Sequence, residues 1–341
     1  MVYFYHICRI EITDPINEGK DIQLPTNQRP NKIQAFAHLF IAGGSGLLSI
    51  TFMSVVGILV ATIFTGFSVS DLVDPETLTK MQSDTNAMRI LTFFGSSLAL
   101  ILASIVTVMA IPIMSNKWET VDIKTFLSLN RVDSIKWFAL SVLFFFTCLP
   151  IMSSLLEWNM SWDLSRISPT LKDWASQMEI QNNKTYDVLF GERNFGNLLI
   201  NLLLMALLPA LAEEFFFRGV LLNIFHGLFK NIHVAIIVCA FLFSLIHFQA
   251  FKILPMMSLA IAFGYMVYWT GSVWTSVAAH FANNAIAVIT LYFTKDGSYI
   301  EMLKQEQSMA WPYVIAGSAL MLLLAFFIHK NAQPKLSNYY E

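Results

Sequence analysis

Glu213, Glu214, Arg218, His247, His280 and Asn284 are chemically able side chains in an unusual setting. They fall in three short patterns: Glu213-Glu214-Phe-Phe-Phe-Arg218, Phe243-x-x-x-His247 and His280-x-x-x-Asn284. Each pattern sits in a stretch that otherwise reads as lipid-embedded helix. Hydrocarbon penalises ionisable groups by about 3 kcal/mol or more, so groups that persist there generally have a function. Two carboxylates, two imidazoles and an amide are enough to assemble a hydrolytic site.

Helical spacing suggests how the work divides. Adjacent residues point about 100° apart, so Glu213 and Glu214 serve different ends. Glu214 and Arg218 are four apart and can pair on one face. Glu213 is then free to face a cavity, where a poorly solvated carboxylate suits a general base for water. Phe243 lies one turn before His247 and can pack beside its ring. His280 and Asn284 share a face, where imidazole and amide can donate to a developing oxyanion. Asn283 points elsewhere, toward a neighbouring helix. Each pattern also has a plain reading: a salt-bridged helix end, a hydrogen-bonded core histidine, and polar glue between helices. The concurrence of all three favours the site. His38 and His329 read as interfacial, and His226 and His233 as facing water in a short connection after Arg218.

The elements that must carry these groups are membrane helices. The chain has 341 residues, 56% hydrophobic and only 13% charged, against about 25% charged in soluble domains. At about 20 apolar residues per span, this predicts an all-α polytopic bundle of about eight transmembrane helices. Their centres lie in about 37–67, 90–114, 137–155, 197 through the Glu213 motif, 234–251, 253–270, 273–294 and 312–329. Gly43, Gly44, Ser45 and Gly46 favour close helix contact in the first. The long loop 156–196 carries Trp158, Trp162 and Trp174, at headgroup level or in a small cap, and short amphipathic helices are expected there. The organisation reads as a cytoplasmic segment 1–36, three spans and the long external loop over 37–196, a core over 197–294, and a last span and cytoplasmic tail over 295–341. With the N-terminus inside, cytoplasmic segments hold 12 of the 21 Lys and Arg and external ones 9, so both termini are expected in the cytoplasm.

A net charge of −2 with no basic stripe argues against nucleic acid. Cys8, Cys148 and Cys239 imply no disulfide framework and read as small hydrophobes. No CxxC or HExxH occurs, and residues 1–34, with Glu11, Asp14, Glu18 and Asp21, do not read as a signal peptide. One strain remains: Glu213 lies near the inner end of a span that begins at 197, whereas His247 lies about 20 Å into the next. A fourth helix continuing through Val220, Leu221 and Leu222 would move Glu213 toward mid-membrane, and tilt would also help.

Together the three motifs resemble the CPBP family, which contains CAAX prenyl endopeptidases of the second type and bacterial relatives linked to bacteriocin processing and self-immunity. The resemblance covers about 197–294. It implies a membrane-embedded, glutamate-dependent endopeptidase acting on a membrane-associated protein or peptide. Glu213 and His247 would then activate water, His280 and Asn284 would stabilise the oxyanion, and Glu214 and Arg218 would hold the site together. No cofactor is expected. Two His and one Glu also form a plausible zinc set, but Asn284 is a poor zinc ligand. The family's breadth suggests a bacterial inner membrane. The competing readings are a non-enzymatic immunity or scaffold protein and a transporter. Transporters often show broken helices and internal repeats, which are not evident here.

Overall fold

The structure is a computed structural model, and it describes residues 32–67, 74–115, 123–129, 132, 134–293 and 310–332. Cys8, Lys117, Arg131 and most of the N-terminal and C-terminal segments lie outside them. Among the described residues the fold is all-α with no strand.

Among the described residues ten helices carry it, besides the four-residue helix Ile123–Phe126: α1 (Lys32–Thr65), α2 (Pro75–Ser83), α3 (Thr85–Ile111, continuing to Ser115), α4 (Lys136–Met160), α5 (Pro169–Phe190), α6 (Phe195–Phe229), α7 (Ile232–Ile246), α8 (Ile253–Thr270), α9 (Val273–Phe293) and α10 (Trp311–Asn331). Seven of these, α1, α3, α4, α6, α8 with its lead-in from Ala250, α9 and α10, are long and apolar enough to cross a membrane. The protein is therefore an integral membrane protein. Bulky apolar side chains such as Phe40, Leu47, Leu48, Phe64 and Leu322 point outward, as lipid-facing residues do.

The expected fifth span is different. α7 has 15 residues, about 22 Å at helical rise, short of the roughly 30 Å hydrocarbon core. It starts at Asn231, whose side chain accepts from the His233 and Val234 backbone N–H groups. It stops at His247 because Phe248 takes a left-handed conformation, φ 53°. The turn that follows leads straight into α8. α7 and α8 lie close together because Gly264 faces Ile236, where any Cβ would sit 2.9 Å from Ile236 Cγ2.

α6 resolves the depth conflict. Asn194 caps it, accepting from the Asn197 backbone N–H at 2.9 Å, and it runs on to Phe229, where Lys230 turns left-handed, φ 55°. Glu213 thus lies about 27 Å from one end and about 24 Å from the other, which is the middle of the helix. Two π-helical stretches, Leu202–Leu207 and Phe215–Leu221, flank the acidic pair; such stretches are common at functional sites. His226 is consequently a buried residue of α6 and does not face water. His38 is likewise buried, against the interfacial reading. His233 and His329 are exposed, His233 with its Nδ1 2.9 Å from the Tyr265 hydroxyl.

The loop 156–196 holds more helix than expected. α4 extends to Met160, and α5 is a single 22-residue helix, started by Ser168 accepting from the Leu171 N–H and by Pro169 in the first turn. In α1, Ser45 meets Thr107 of α3 at 2.6 Å, in line with the close contact read from the small residues.

Candidate active site

The side chains of the three motifs meet at mid-bundle. α6 supplies Glu213, Glu214 and Arg218, the end of α7 supplies His247, and α9 supplies His280, Asn283 and Asn284. Glu213 Oε2 stands 3.8 Å from His247 Nε2 and 3.8 Å from His280 Nε2. All three open onto one cavity of about 340 Å³, along with Asn283 and Asn284.

Beneath them is a buried ion pair. Arg218 Nη1 donates to Glu214 Oε1 at 2.7 Å, with Arg218 2% and Glu214 0% exposed. A second guanidinium nitrogen donates to the Ala260 carbonyl of α8 at 3.0 Å. The guanidinium packs over the rings of Phe243 and Phe263, 5.0 and 5.5 Å from their centroids. Glu214 Oε1 also lies 2.8 Å from His280 Nδ1. A carboxylate only accepts, so Nδ1 carries the proton and Nε2 faces Glu213. Phe263 stacks on the His280 ring at 5.3 Å and holds its plane.

His247 is oriented in the same way. Its Nδ1 lies 2.7 Å from the Phe243 carbonyl, which only accepts, so Nδ1–H is the donor. The neutral ring then presents a lone pair at Nε2, toward Glu213. The Phe243 ring sits 4.5 Å away, centroid to centroid.

Several contributors escape the sequence patterns. Asn159, at the end of α4 and 1% exposed, donates to the Ala250 carbonyl at 3.0 Å and accepts from the Leu254 N–H at 2.9 Å. It thereby fixes the turn that follows His247. Lys252 in that turn pairs with Glu179 of α5 at 2.8 Å, and Trp174 of α5 packs edge-on to Phe248. Tyr186 and Phe190 of α5 line the cavity. Asn283 does not point elsewhere: it lines the cavity and its Nδ2 donates to Asn284 Oδ1 at 2.9 Å, which leaves the Asn284 N–H groups for another acceptor.

A carboxylate and an imidazole lone pair facing one cavity, backed by a buried Glu–Arg pair, are groups able to hold and polarise a water. Comparison with known families agrees with this. Residues 195–286 match the model of the family described as Type II CAAX prenyl endopeptidase Rce1-like. The matched segment, about a quarter of the chain, contains every one of the motif residues above. The Rce1-like family supports an intramembrane CAAX-type endopeptidase in general. No curated protein and no solved structure matches the chain.

Metal is a separate question. Among the described residues no three His, Cys, Asp or Glu are arranged to hold an ion. Tetrahedral zinc ligands at ~2.0–2.1 Å from the metal lie about 3.3 Å from one another, and here both His-to-Glu213 separations are 3.8 Å. Cys148 and Cys239 are buried thiols; Cys239 donates to the Phe217 carbonyl at 3.3 Å.

Proposed function

We propose that the chain is an endopeptidase that hydrolyses a peptide bond of a membrane-associated protein or peptide inside the bilayer, using water activated by Glu213 and His247. The observation that carries this reading is the convergence of Glu213 Oε2 and His247 Nε2 at 3.8 Å on the cavity. Both atoms accept hydrogen bonds, and together they can bind one water and take its proton as its oxygen attacks the scissile carbonyl. The oxyanion that forms would receive hydrogen bonds from Asn284 Nδ2 and from His280 Nε2 in the protonated ring. The Asn283–Asn284 hydrogen bond supports the first donor, and the contact of Glu214 with Nδ1 holds the His280 ring in place for the second. Collapse of the tetrahedral intermediate breaks the C–N bond and returns the proton to the leaving amine. Few water molecules reach such a site, so each directed hydrogen bond counts for more than it would in bulk solvent.

In this reading no metal takes part, and the ion pair Glu214–Arg218 acts by fixing His280. The family description makes a peptide ending in a prenylated Cys-a-a-X sequence the first substrate class to test. The 12-to-9 split of Lys and Arg supports cytoplasmic termini, and the family's breadth suggests a bacterial inner membrane.

The test is proteomics of newly formed termini in membranes carrying either the parent or Glu213→Gln. Uncut precursors that accumulate only with the variant would name the substrate. If the variant cleaves or protects as well as the parent, the chain is a non-enzymatic immunity or scaffold protein that retains the fold.

A further inference from the structure

Lys252 lines the cavity, yet the proposed mechanism gives it no part. Among the described residues of the cavity wall it is the one side chain with a permanent positive charge, and Glu213 is the one carboxylate. It stands in the turn between His247 and α8, its side chain 11% exposed, with the ammonium 2.8 Å from Glu179 Oε1 of α5. Glu179 is not part of the wall, so the pair presents its cationic end to the cavity. A contact that merely tied α5 to α8 could lie wholly at the surface, where both charges stay hydrated.

The shape of the cavity limits what can meet that charge. Its lining stops at Glu213 along α6 and at Phe263 along α8, and begins at His280 along α9. Beyond that level Phe217, Arg218, Val220 and Leu221 are buried. The Glu213–His247 pair is therefore at the floor, and a space of about 340 Å³ runs from it toward the turn and α5. Lys252 precedes Phe263 by three turns of helix, about 16 Å at helical rise. A tail of three extended residues covers about 10 Å, and the flexible four-carbon stem of lysine bridges the difference. Met256 and Leu259 lie between, so this wall is apolar along its length and charged at its end.

We propose that Lys252 binds the free C-terminal carboxylate of the substrate peptide and so sets how far the cut falls from the chain end; this rests on the endopeptidase reading. A chain end is an anion that every such peptide carries, whatever its sequence. An ammonium donates up to three hydrogen bonds, so one lysine can serve Glu179 and a second carboxylate together. Hydrogen bonds between ions are about twice as strong as neutral ones. Glu179 holds the ammonium in place and offsets part of its charge, so removing the Glu179 charge strengthens the site. Gln249, in the same turn, adds a neutral amide to the wall.

The experiment measures binding and so stands apart from cleavage. The probes are two fluorescein-labelled octapeptides in which a farnesylated cysteine is followed by three residues, one ending in a carboxylate and the other in a carboxamide. Both are titrated by anisotropy onto Glu213→Gln protein in lipid nanodiscs. The acid is expected to bind about 10-fold more tightly than the amide. Adding Lys252→Met is expected to erase that preference by weakening the acid alone, and Lys252→Arg to restore most of it. Glu179→Gln, which keeps an oxygen for Lys252, is expected to widen the preference, and this variant decides the matter if Lys252→Met lowers Tm. Gln249→Leu is expected to shift both probes equally. Equal affinity for acid and amide overturns the proposal. So does a Lys252→Met penalty shared by both probes, which marks a structural pair only, or absence of binding to Glu213→Gln protein. A Lys252-dependent preference for an acid that the parent never cleaves would instead refute the endopeptidase reading and leave the carboxylate site standing.

Discussion

Arg218→Met tests whether the buried pair acts as a unit. The guanidinium is 2% exposed and its carboxylate partner 0%. Removing either charge leaves the other buried and uncompensated, which costs about 3–5 kcal/mol. Arg218→Met and Glu214→Leu should therefore each destabilise by that amount, and independent effects would sum to about 6–10 kcal/mol. In the double variant no unpaired charge remains. What is lost is the anchor for His280 Nδ1, an orphaned donor worth about 1–3 kcal/mol. The double variant should thus fall only about 1–3 kcal/mol below the parent, a coupling of roughly 6 kcal/mol. Steric-trap unfolding of the four proteins in bicelles reads these values directly. Cleavage measured alongside should stay low in the double variant, since His280 is no longer held. Additive destabilisation near 8 kcal/mol would refute the reasoning, and so would a double variant that cleaves at the parent's rate.

Asn159→Leu should remove two hydrogen bonds to the turn after His247, costing about 2 kcal/mol in unfolding and lowering kcat more than it raises KM. Asn283→Leu should leave the fold intact and lower kcat about 10-fold by freeing the Asn284 amide, a loss that kinetics on a quenched CAAX peptide would register; an unchanged kcat would deny Asn283 any part in aiming that donor. Gly264→Leu should displace α7, because the new side chain meets Ile236, and differential scanning calorimetry in detergent should show a lower Tm. Elemental analysis of the purified protein should find no stoichiometric zinc, and chelators should leave cleavage unchanged; zinc bound one per chain and lost in His247→Ala would overturn the metal-free mechanism.

Much of this was readable from side-chain spacing. Glu214 and Arg218 four apart, and Phe243 four before His247, announce shared faces, and the structure has those contacts. The break at His247 was hidden. Residues 247–249 are His, Phe and Gln, with no glycine or proline to punctuate the apolar run, so hydropathy carries a span straight through a turn that Asn159 and α5 hold from outside. The continuation of α6 was half visible: Ile224, Phe225 and Leu228 keep the apolar pattern going past Arg218, which is why His226 is buried. The place of α5 was invisible, since a helix of mixed polarity in a long loop shows that its Tyr186 and Phe190 face the cavity only once α9 is packed against it. Asn283 was misjudged because helical angles alone separate it from Asn284, whereas the two amides bond directly across adjacent positions.

The central claim is that Glu213 prepares a water for attack, and one measurement bears on it most directly. Purified parent and Glu213→Gln proteins in nanodiscs are compared on one quenched, farnesylated CAAX peptide, with Tm recorded for both. Glu213→Gln is expected to fold like the parent and to cleave about 10²–10⁴-fold more slowly. A folded Glu213→Gln protein that cleaves at the parent's rate would contradict the account.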